Sequence, residues 1–320
     1  MNKLFFIFLI AIILFSCTDD FTIKTKDADA RIVLEGAITN EEGPYFFKLS
    51  LSNQSNVNPS SMLGINDALF IISDNKGTID TLKAFRPKVE IYSRGGGEIW
   101  TFKRYSGEID TIPYYGYITN FLEGIYCTTK VKGVPGNTYT LYVKYKDKAV
   151  TATDSMPNVP TIDSVKFLSG PLSKEGERSL APYIYFKEPR NEKNYYMMNF
   201  GNDNILDPYD YSSSRVWSFS IFDDKNMSGY VNGLNIDDGA NPVNDGNYYY
   251  HPSTGSLETI RLLSLSPKAY EFFKSLISQF DNDGGAYTPS PTSPPTNLSG
   301  NALGFFRASA VSERKVLVKE

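Results

Sequence analysis

Residues 133–152 read GVPGNTYTLYVKYKDKAVTA, and they carry the clearest structural pattern in the chain. Within this stretch Tyr139, Leu141 and Val143 recur at every second position, with threonine or tyrosine between them. A repeat of two residues is typical of a β-strand that buries one face. The polar turn at 146–148 follows, and a second run of small and apolar residues comes after it. The pattern therefore predicts an antiparallel hairpin within an all-β domain.

The composition extends this prediction to the rest of the chain. Among 320 residues there are 22 Tyr and 21 Phe, which suit half-buried pleated surfaces, while 24 Gly and 18 Pro separate short apolar runs. Met156-Pro157-Asn158-Val159-Pro160 places two prolines in a short break, where we predict a domain boundary. We expect an all-β fold of two β-sandwich domains, over 30–156 and 157–320. The strand order of the first resembles that of immunoglobulin-like or transthyretin-like sandwiches.

One segment has helical rather than strand spacing. Ser266 and Pro267 suit the N-cap and the first position of a helix. The sequence predicts one amphipathic helix over 266–280, packed against a sheet of the C-terminal β-rich domain. The apolar residues that recur at helical spacing are Ala269, Phe272, Phe273, Leu276, Ile277 and Phe280.

The N-terminal residues 1–16 have the pattern of a secretory signal peptide. The run 4–15 is entirely apolar but is shorter than the ~20 residues that a membrane-spanning helix needs. Leu14-Phe15-Ser16-Cys17 resembles the lipobox of bacterial lipoproteins, although Phe15 is bulkier than is usual there. The resemblance implies cleavage before Cys17, which would carry a thioether-linked diacylglycerol and an N-acyl chain such as palmitate. The alternative is an ordinary secreted protein with a chance cysteine.

The residues after Cys17 bear on where such a lipoprotein would go. Thr18, Asp19 and Asp20 resemble the export signal that directs lipoproteins of Bacteroidetes-type bacteria to the cell surface. The polar stretch 17–29 then suits a short tether. Three acyl chains would make attachment to the outer membrane effectively permanent. A solvated acidic start to the tether, without an export role, is the alternative interpretation.

Cysteine usage and charge narrow the class of protein further. If Cys17 is acylated, Cys127 has no disulfide partner within the chain, and we interpret it as a buried, inert thiol rather than a reactive one. The fold should then be stable without disulfides. The net charge is −4 and no block of Lys or Arg occurs, so we predict no nucleic-acid partner.

Candidate catalytic and metal-binding residues do not form a recognised pattern. His251 is the only histidine and there is no Gly-x-Ser-x-Gly motif, which argues against a catalytic triad and against zinc. Asp281-x-Asp283-Gly284 is similar to the start of a calcium loop, but the closing position holds Thr292 instead of Glu. We therefore predict no catalytic residues, no metal and no cofactor.

Two possibilities stay open at the level of sequence. A glycosidase needs two carboxylates that meet in space, so acidic turn residues such as Asp223-Asp224 and Asp237-Asp238 do not exclude one. Clustered tyrosines could also form a platform for a sugar or a peptide, although tyrosine is common in β-sheets. These tyrosines are Tyr114, Tyr115, Tyr117, Tyr248, Tyr249 and Tyr250.

Four motifs in a fixed order give a family resemblance. V-L-E-G-x-I-T-N (33–40) opens the mature chain, and G-x-x-Y-x-L-x-V (136–143) lies in the predicted hairpin. L-S-P-x-A-Y-x-F-F (265–273) begins the helix, and N-x-x-G-N-x-L-G-F-F-x-A (297–308) comes near the end. This order resembles the domain of unknown function 4249 family of Bacteroidetes outer-membrane lipoproteins.

The family resemblance supplies an expectation about function and partner. Members are often associated with TonB-dependent receptors, and the family offers no catalytic residues to carry over. The resemblance implies a non-enzymatic, surface-exposed outer-membrane lipoprotein that assists such a receptor in nutrient capture or uptake. A surface hydrolase acting on glycan or peptide, and a structural or adhesion module, are the alternatives.

Overall fold

The computed structural model describes residues 29–52, 63–85, 88–92, 97–115, 123–172, 178–190, 192–202, 218–227, 229–235, 254–280 and 293–319. The described residues form β-strands and one helix, which confirms the predicted all-β fold class. The helix, α1, spans Pro267–Phe280. The strands are β1 (Ile32–Thr39), β2 (Phe46–Leu51), β3 (Leu63–Gly64), β4 (Leu69–Asp74), β5 (Ile79–Thr81), β6 (Lys83–Ala84), β7 (Lys88–Tyr92), β8 (Gly97–Lys103), β9 (Ile109–Tyr115), β10 (Ile125–Cys127), β11 (Thr138–Tyr145), β12 (Lys148–Ser155), β13 (Ile162–Leu172), β14 (Arg178–Lys187), β15 (Tyr195–Asn202), β16 (Ser218–Asp223), β17 (Tyr230–Asn235), β18 (Leu257–Ser264), β19 (Leu303–Ser309) and β20 (Val311–Leu317).

The described strands form five sheets. Sheet 1 has the order β19-β1-β2-β10-β6, with β3 paired to β2, and sheet 2 has the order β12-β11-β4-β5. Sheet 3 is β7-β8-β9, sheet 4 is β13-β14-β17, and sheet 5 is β16-β15-β18-β20. Among the described strands, every pair is antiparallel except β1 with β19, which run parallel.

The first sandwich forms where sheets 1 and 2 pack face to face. Tyr139, Leu141 and Val143 of β11 are fully buried in one core, as the alternating pattern predicted. Leu34 and Phe47 of sheet 1 belong to the same cluster. Each large apolar side chain buried in this way contributes about 1.5–3 kcal/mol relative to an exposed one, so these alternating positions stabilise the sandwich.

The second half has three layers. Tyr196 and Met198 of β15 point into a core shared by sheets 4 and 5, whereas Met197 between them points to the opposite face of sheet 5. Helix α1 covers that opposite face through Ala269, among others. The backbone N–H of Ala269 donates to Oγ of Ser266 at 3.1 Å, which confirms Ser266 as the N-cap.

The C-terminal strands connect the two halves. β19 pairs with β1 in sheet 1, and β20, which follows after Ala310 alone, pairs with β18 in sheet 5. The predicted boundary at 156–160 stays a prediction. However, the range 157–320 contributes one strand, β19, to the first sandwich, and chain order alone could not reveal this because the pairing joins residues far apart in sequence.

Candidate functional site

Three of the four family motifs meet where the two halves join. The opening motif is β1, and the C-terminal motif contains β19, which lies beside β1 from Val33–Leu303 to Thr39–Ser309. The third motif starts helix α1, whose Phe272 ring lies 4.9 Å from that of Phe305 in β19. We call this region the joint and define it by Asn40, Asp154, Ser264, Ser266 and 307–311.

Close backbone approach explains the glycine of the C-terminal motif. Gly304 has φ +99°, a conformation that favours glycine. A Cβ atom at this position would collide with the carbonyl oxygen of Leu34 on β1. The parallel pairing of β19 with β1 therefore depends on the absence of a side chain at residue 304.

Asn297 fixes the start of the C-terminal segment between the two sheets. Its Nδ2 donates to the carbonyl oxygen of Phe306 at 2.7 Å and to that of Thr153 at 3.2 Å, while Oδ1 accepts from the N–H of Phe306 at 3.1 Å. Ser299 adds a bond from its N–H to the carbonyl oxygen of Thr151. These bonds cover part of the edge of β12, which would otherwise offer exposed backbone groups for strand pairing.

Side-chain hydrogen bonds hold the crossing point at Ala310. Asn40 bonds both backbone groups of Val311: Oδ1 accepts from the N–H at 2.6 Å, and Nδ2 donates to the carbonyl oxygen at 3.2 Å. Oγ of Ser264 accepts from the N–H of Ala310 at 3.0 Å and donates to the carbonyl oxygen of Pro157 at 2.7 Å. Every partner is a backbone group, so the joint fixes the path of the chain as it leaves the first sandwich.

Asp154 is the buried acid of the joint, with only 4% of its surface exposed. Its Oδ2 accepts from the N–H of Ala308 at 2.9 Å, and its carboxyl group also bonds to the side chain of Ser266. Burial raises the pKa of Asp154 to about 6, although these bonds and the charge of Arg307 act in the opposite direction. At neutral pH the ionised carboxylate of Asp154 therefore lowers the stability of the folded state, because it has lost its hydration.

Two arginines flank the joint on the helix side of sheet 5. The guanidinium of Arg307 lies 5.8 Å from the ring centroid of Phe273 in α1, which places it for a cation–π contact. Burial, together with the charge of Arg261, lowers the pKa of Arg307 to about 10, so the group stays positive at neutral pH. Arg261 forms ion pairs with Glu41 and Glu313, and thereby links β18 to the β1–β2 turn.

A second buried acid lies away from the joint, at the end of β14. Glu188 is 2% exposed and accepts from the hydroxyl group of Tyr196 at 2.9 and 3.0 Å and from Nδ2 of Asn194 at 2.9 Å. Burial raises the pKa of Glu188 above its usual range. The carboxyl groups of both Glu188 and Asp154 thus accept hydrogen bonds from donors within the fold.

The structure describes only some of the candidates that the sequence singled out. Asp223 and Asp224 lie at the end of β16 and just after it, and Oδ2 of Asp224 accepts from the N–H of Asn194 at 2.7 Å. Cys127 is a half-buried free thiol, and burial, assisted by the charge of Asp80, raises its pKa, which fits an inert role. Tyr114 and Tyr115 belong to β9.

The remaining candidates lie outside the described residues: Cys17, Thr18, Asp19, Asp20, Tyr117, Asp237, Asp238, Tyr248, Tyr249, Tyr250, His251, Asp281, Asp283 and Thr292. Within the described ranges, no group of three or more His, Cys, Asp or Glu side chains could hold a metal ion. No helix in that part of the chain is long and apolar enough to cross a membrane.

Comparison with known families agrees with the motif order. A family model described as "Domain of unknown function (DUF4249)" matches residues 18–315. The chain belongs to the DUF4249 family. No curated protein and no solved structure matches the chain. The likeness of the first sandwich to immunoglobulin-like or transthyretin-like domains therefore stays a prediction.

The joint gives physical roles to motif residues of this DUF4249 chain. Gly304 permits the β1–β19 pairing, Asn40 binds across to β20, and Ser266 both caps α1 and bonds Asp154. Sequence reasoning missed Asp154, because it follows the alternating run of β12 as an ordinary strand residue. Its inward position in the alternation was the one available signal, since a carboxylate on a buried face needs a partner.

Proposed function

We propose that this protein is a non-enzymatic lipoprotein of the outer membrane, exposed at the cell surface, that assists a TonB-dependent receptor in nutrient capture. The observation that carries the proposal is Leu14-Phe15-Ser16-Cys17, followed directly by Thr18-Asp19-Asp20. The first stretch provides the residue for acylation, and the second provides the acidic signal for surface export. Membership in the DUF4249 family is compatible with this assignment.

A binding role accords with the chemistry of the described residues. Asp154 and Glu188, whose pKa values are raised, are buried and bonded within the fold, and Cys127 is a thiol with a raised pKa. Asp154 and Glu188 are too deeply buried to reach a substrate, and the raised pKa of Cys127 keeps its half-buried thiol protonated at neutral pH. A lipid anchor on Cys17 would act by confinement, because tethering near a receptor raises the effective concentration of a binding domain.

Replacement of Cys17 by alanine tests the anchor. We expect Cys17→Ala to abolish labelling by an alkyne fatty acid and to remove the protein from the outer-membrane fraction. The matched control is Cys127→Ala, which changes the other cysteine of the chain and should leave both readouts unchanged. Unchanged labelling and membrane recovery of Cys17→Ala would contradict the proposal.

Affinity purification tests the partner. The tagged, acylated protein is extracted from outer membranes in mild detergent and its co-purifying proteins are identified by mass spectrometry. We expect a TonB-dependent receptor to co-purify at near-stoichiometric yield. If the interaction requires surface exposure, replacement of Asp19 and Asp20 by Ala should remove the receptor from the purified sample. Recovery of the intact lipoprotein without any such receptor would contradict the accessory role but would not affect the proposed lipid anchor.

A further inference from the structure

The two ends of the first sandwich carry different attachments. β1 begins at Ile32, beside Leu303 of β19, Leu51 of β2 and Leu63 of β3. The carbonyl oxygen of Ala149 lies against Gly300, just before β19, which places the β11–β12 turn at this same end. We call it the tether end, because the chain from residue 17 enters the fold here.

The opposite end carries the second half of the molecule. β1 ends at Thr39, beside Ser309, where the chain crosses into β20 through the joint. The first sandwich also continues into the second half through Met156 at this end, since the N–H of Met156 donates to the carbonyl oxygen of Asn137 at 2.9 Å. The 8 residues of β1 separate the two ends by about 26 Å.

The length of the tether places one end of the sandwich near the bilayer. This step rests on the proposed acylation of Cys17. Cys17 lies 14 positions before Arg31, and 14 residues span at most about 50 Å even when fully extended. The tether end is therefore on average closer to the membrane than the joint is.

The exposed surface of the tether end suits a bilayer with phosphate-bearing headgroups. Lys144 near the end of β11, Lys146 on the β11–β12 turn and Lys148 at the start of β12 are all exposed and can reach phosphate groups. Leu63 and Leu69 are 67% and 45% exposed at the same end, where they would face the bilayer, whereas Ile79 and Val134 at the opposite end are 60% and 47% exposed.

Acidic groups limit the net charge of this surface. Asp67 and Asp147 are exposed at the tether end, so the excess of positive charge is small. Lys130 and Lys132 are exposed at the opposite end, so lysines alone do not distinguish the two ends. The position of the tether is what selects the end, and the lysines and leucines supply the contact once the end is near the bilayer.

We propose that the tether end, through Lys144, Lys146 and Lys148 with Leu63 and Leu69, contacts the phosphate-bearing headgroups of the membrane that holds the anchor. This contact orients the molecule. The first sandwich acts as a stalk on the bilayer, and the second half is presented away from it, toward a partner.

Headgroup quenching on vesicles tests the orientation. The acylated full-length protein, in a Cys127→Ala background, carries a fluorophore at Ala149→Cys on the tether end or at Lys76→Cys on the β4–β5 turn at the opposite end. Both residues are exposed. Vesicles contain phosphatidylglycerol, phosphatidylcholine and a lipid with a paramagnetic headgroup. We expect quenching at residue 149 to be at least threefold stronger than at residue 76.

Charge reversal then tests the contact itself. The variant Lys144→Glu, Lys146→Glu, Lys148→Glu should lower the quenching ratio at least twofold, while the tether alone keeps the ratio above one. The matched reversal Lys130→Glu, Lys132→Glu should leave the ratio unchanged. Circular dichroism confirms that each variant is folded.

The outcomes separate the two proposals. Equal quenching at both sites or stronger quenching at residue 76 would overturn the orientation, and a ratio that the triple reversal leaves unchanged would overturn the headgroup contact. Flotation of the vesicles in a density gradient is measured in parallel with acyl labelling. Protein that is not acylated and does not float would overturn the anchor, and the orientation with it, whereas acylated protein that floats with equal quenching overturns the orientation alone.

Discussion

Single buried carboxylates in this molecule act in opposite directions on stability. Asp80 is fully buried and its Oδ2 accepts from the N–H groups of Thr129, Lys130 and Val131 at 2.8, 2.8 and 2.9 Å. Burial alone would raise the pKa of Asp80, but these bonds outweigh it and hold the pKa below the usual value. Asp154 accepts fewer bonds, and burial prevails. The hydroxyl group of Thr129 also donates to Asp80, so the larger set of donors around Asp80 accounts for the opposite direction of its pKa shift.

Asp80→Ala should destabilise the first sandwich strongly. The substitution removes the acceptor of three backbone N–H groups, of which that of Val131 is buried, and a buried unpaired donor costs about 1–3 kcal/mol, so we expect a loss of at least about 1–3 kcal/mol. Urea unfolding at pH 7 followed by circular dichroism measures it. Asp147→Ala, on an exposed turn, is the control and should change the free energy by less than about 0.5 kcal/mol.

The effect of Asp80 should depend on pH in a defined direction. Because its folded pKa is lowered, its contribution is present above the unfolded pKa of about 4 and is lost as the pH falls through the folded value. The stability difference between the wild type and Asp80→Ala should therefore narrow in acid. A gap that widens below pH 4 would contradict the hydrogen-bonding account.

Asp154→Asn should show the reverse dependence. Since the folded pKa is about 6 and the unfolded value is about 3.9, the protonated acid favours the folded state. This contribution is fully present below about pH 4 and is lost as the pH rises through 6. Asparagine keeps an acceptor for Ala308 without the charge, so the variant should exceed the wild type by roughly 2 kcal/mol at pH 8 and match it near pH 4.

Unfolding curves at several pH values between 4 and 8 provide the measurement for Asp154→Asn. Glu188 remains in both proteins and contributes equally to each, so the difference isolates residue 154. Asp147→Asn serves as the exposed control. A variant that is less stable than the wild type at pH 8 would show that the charge of Asp154 is needed at the joint, most directly by Arg307.

At the scale of the element, β19 is the strand whose partner could not be found from the sequence. The period-2 patterns of β11 and the helical spacing of α1 are local signals, and both elements formed where they were predicted. The partner of β19 is about 270 residues away in sequence. No local pattern encodes such a pairing, and the glycine that permits it looks like an ordinary turn signal when only the sequence is read.

Gly304→Ala tests the pairing of β19 with β1. A methyl group would collide with the carbonyl oxygen of Leu34, in addition to the strain of φ +99°. Gly77→Ala is a matched control, because φ is +96° there and nothing lies within 4 Å of the added atom. We expect Gly77→Ala to cost about 1–2 kcal/mol from backbone strain alone, and Gly304→Ala clearly more.

Chemical denaturation of both glycine variants separates the strain from the collision. The difference between the two unfolding free energies is the cost of forcing β19 away from β1. Equal losses would show that β19 can shift without disturbing sheet 1, and would remove the close approach as the reason for glycine in the C-terminal motif.

For the whole molecule, the residues of the joint were harder to predict from the sequence than the all-β fold was. The joint is assembled from Asn40, Asp154, Ser264, Ser266 and residues 307–311, which come from four distant parts of the chain. Each of these residues is unremarkable within its own stretch. Their common property is a hydrogen bond to a group on another element, and that property exists only after the two halves have come together.

The shared C-terminal segment should make the two halves fold as one unit. Removal of residues 296–320 deletes β19 from sheet 1 and β20 from sheet 5, and it leaves the edges of β1 and β18 without partners. It also removes Phe305, Phe306 and Ala308 from the cores of both halves. Removal of residues 319–320 alone is the control. We expect the longer truncation to abolish cooperative thermal unfolding in both halves. Differential scanning calorimetry measures the unfolding, and limited proteolysis with mass spectrometry shows which residues stay folded. A truncated protein whose residues 30–156 stay protease-resistant and unfold in a single sharp transition would show instead that the first sandwich is complete without β19, and that the joint attaches the second half without stabilising the first.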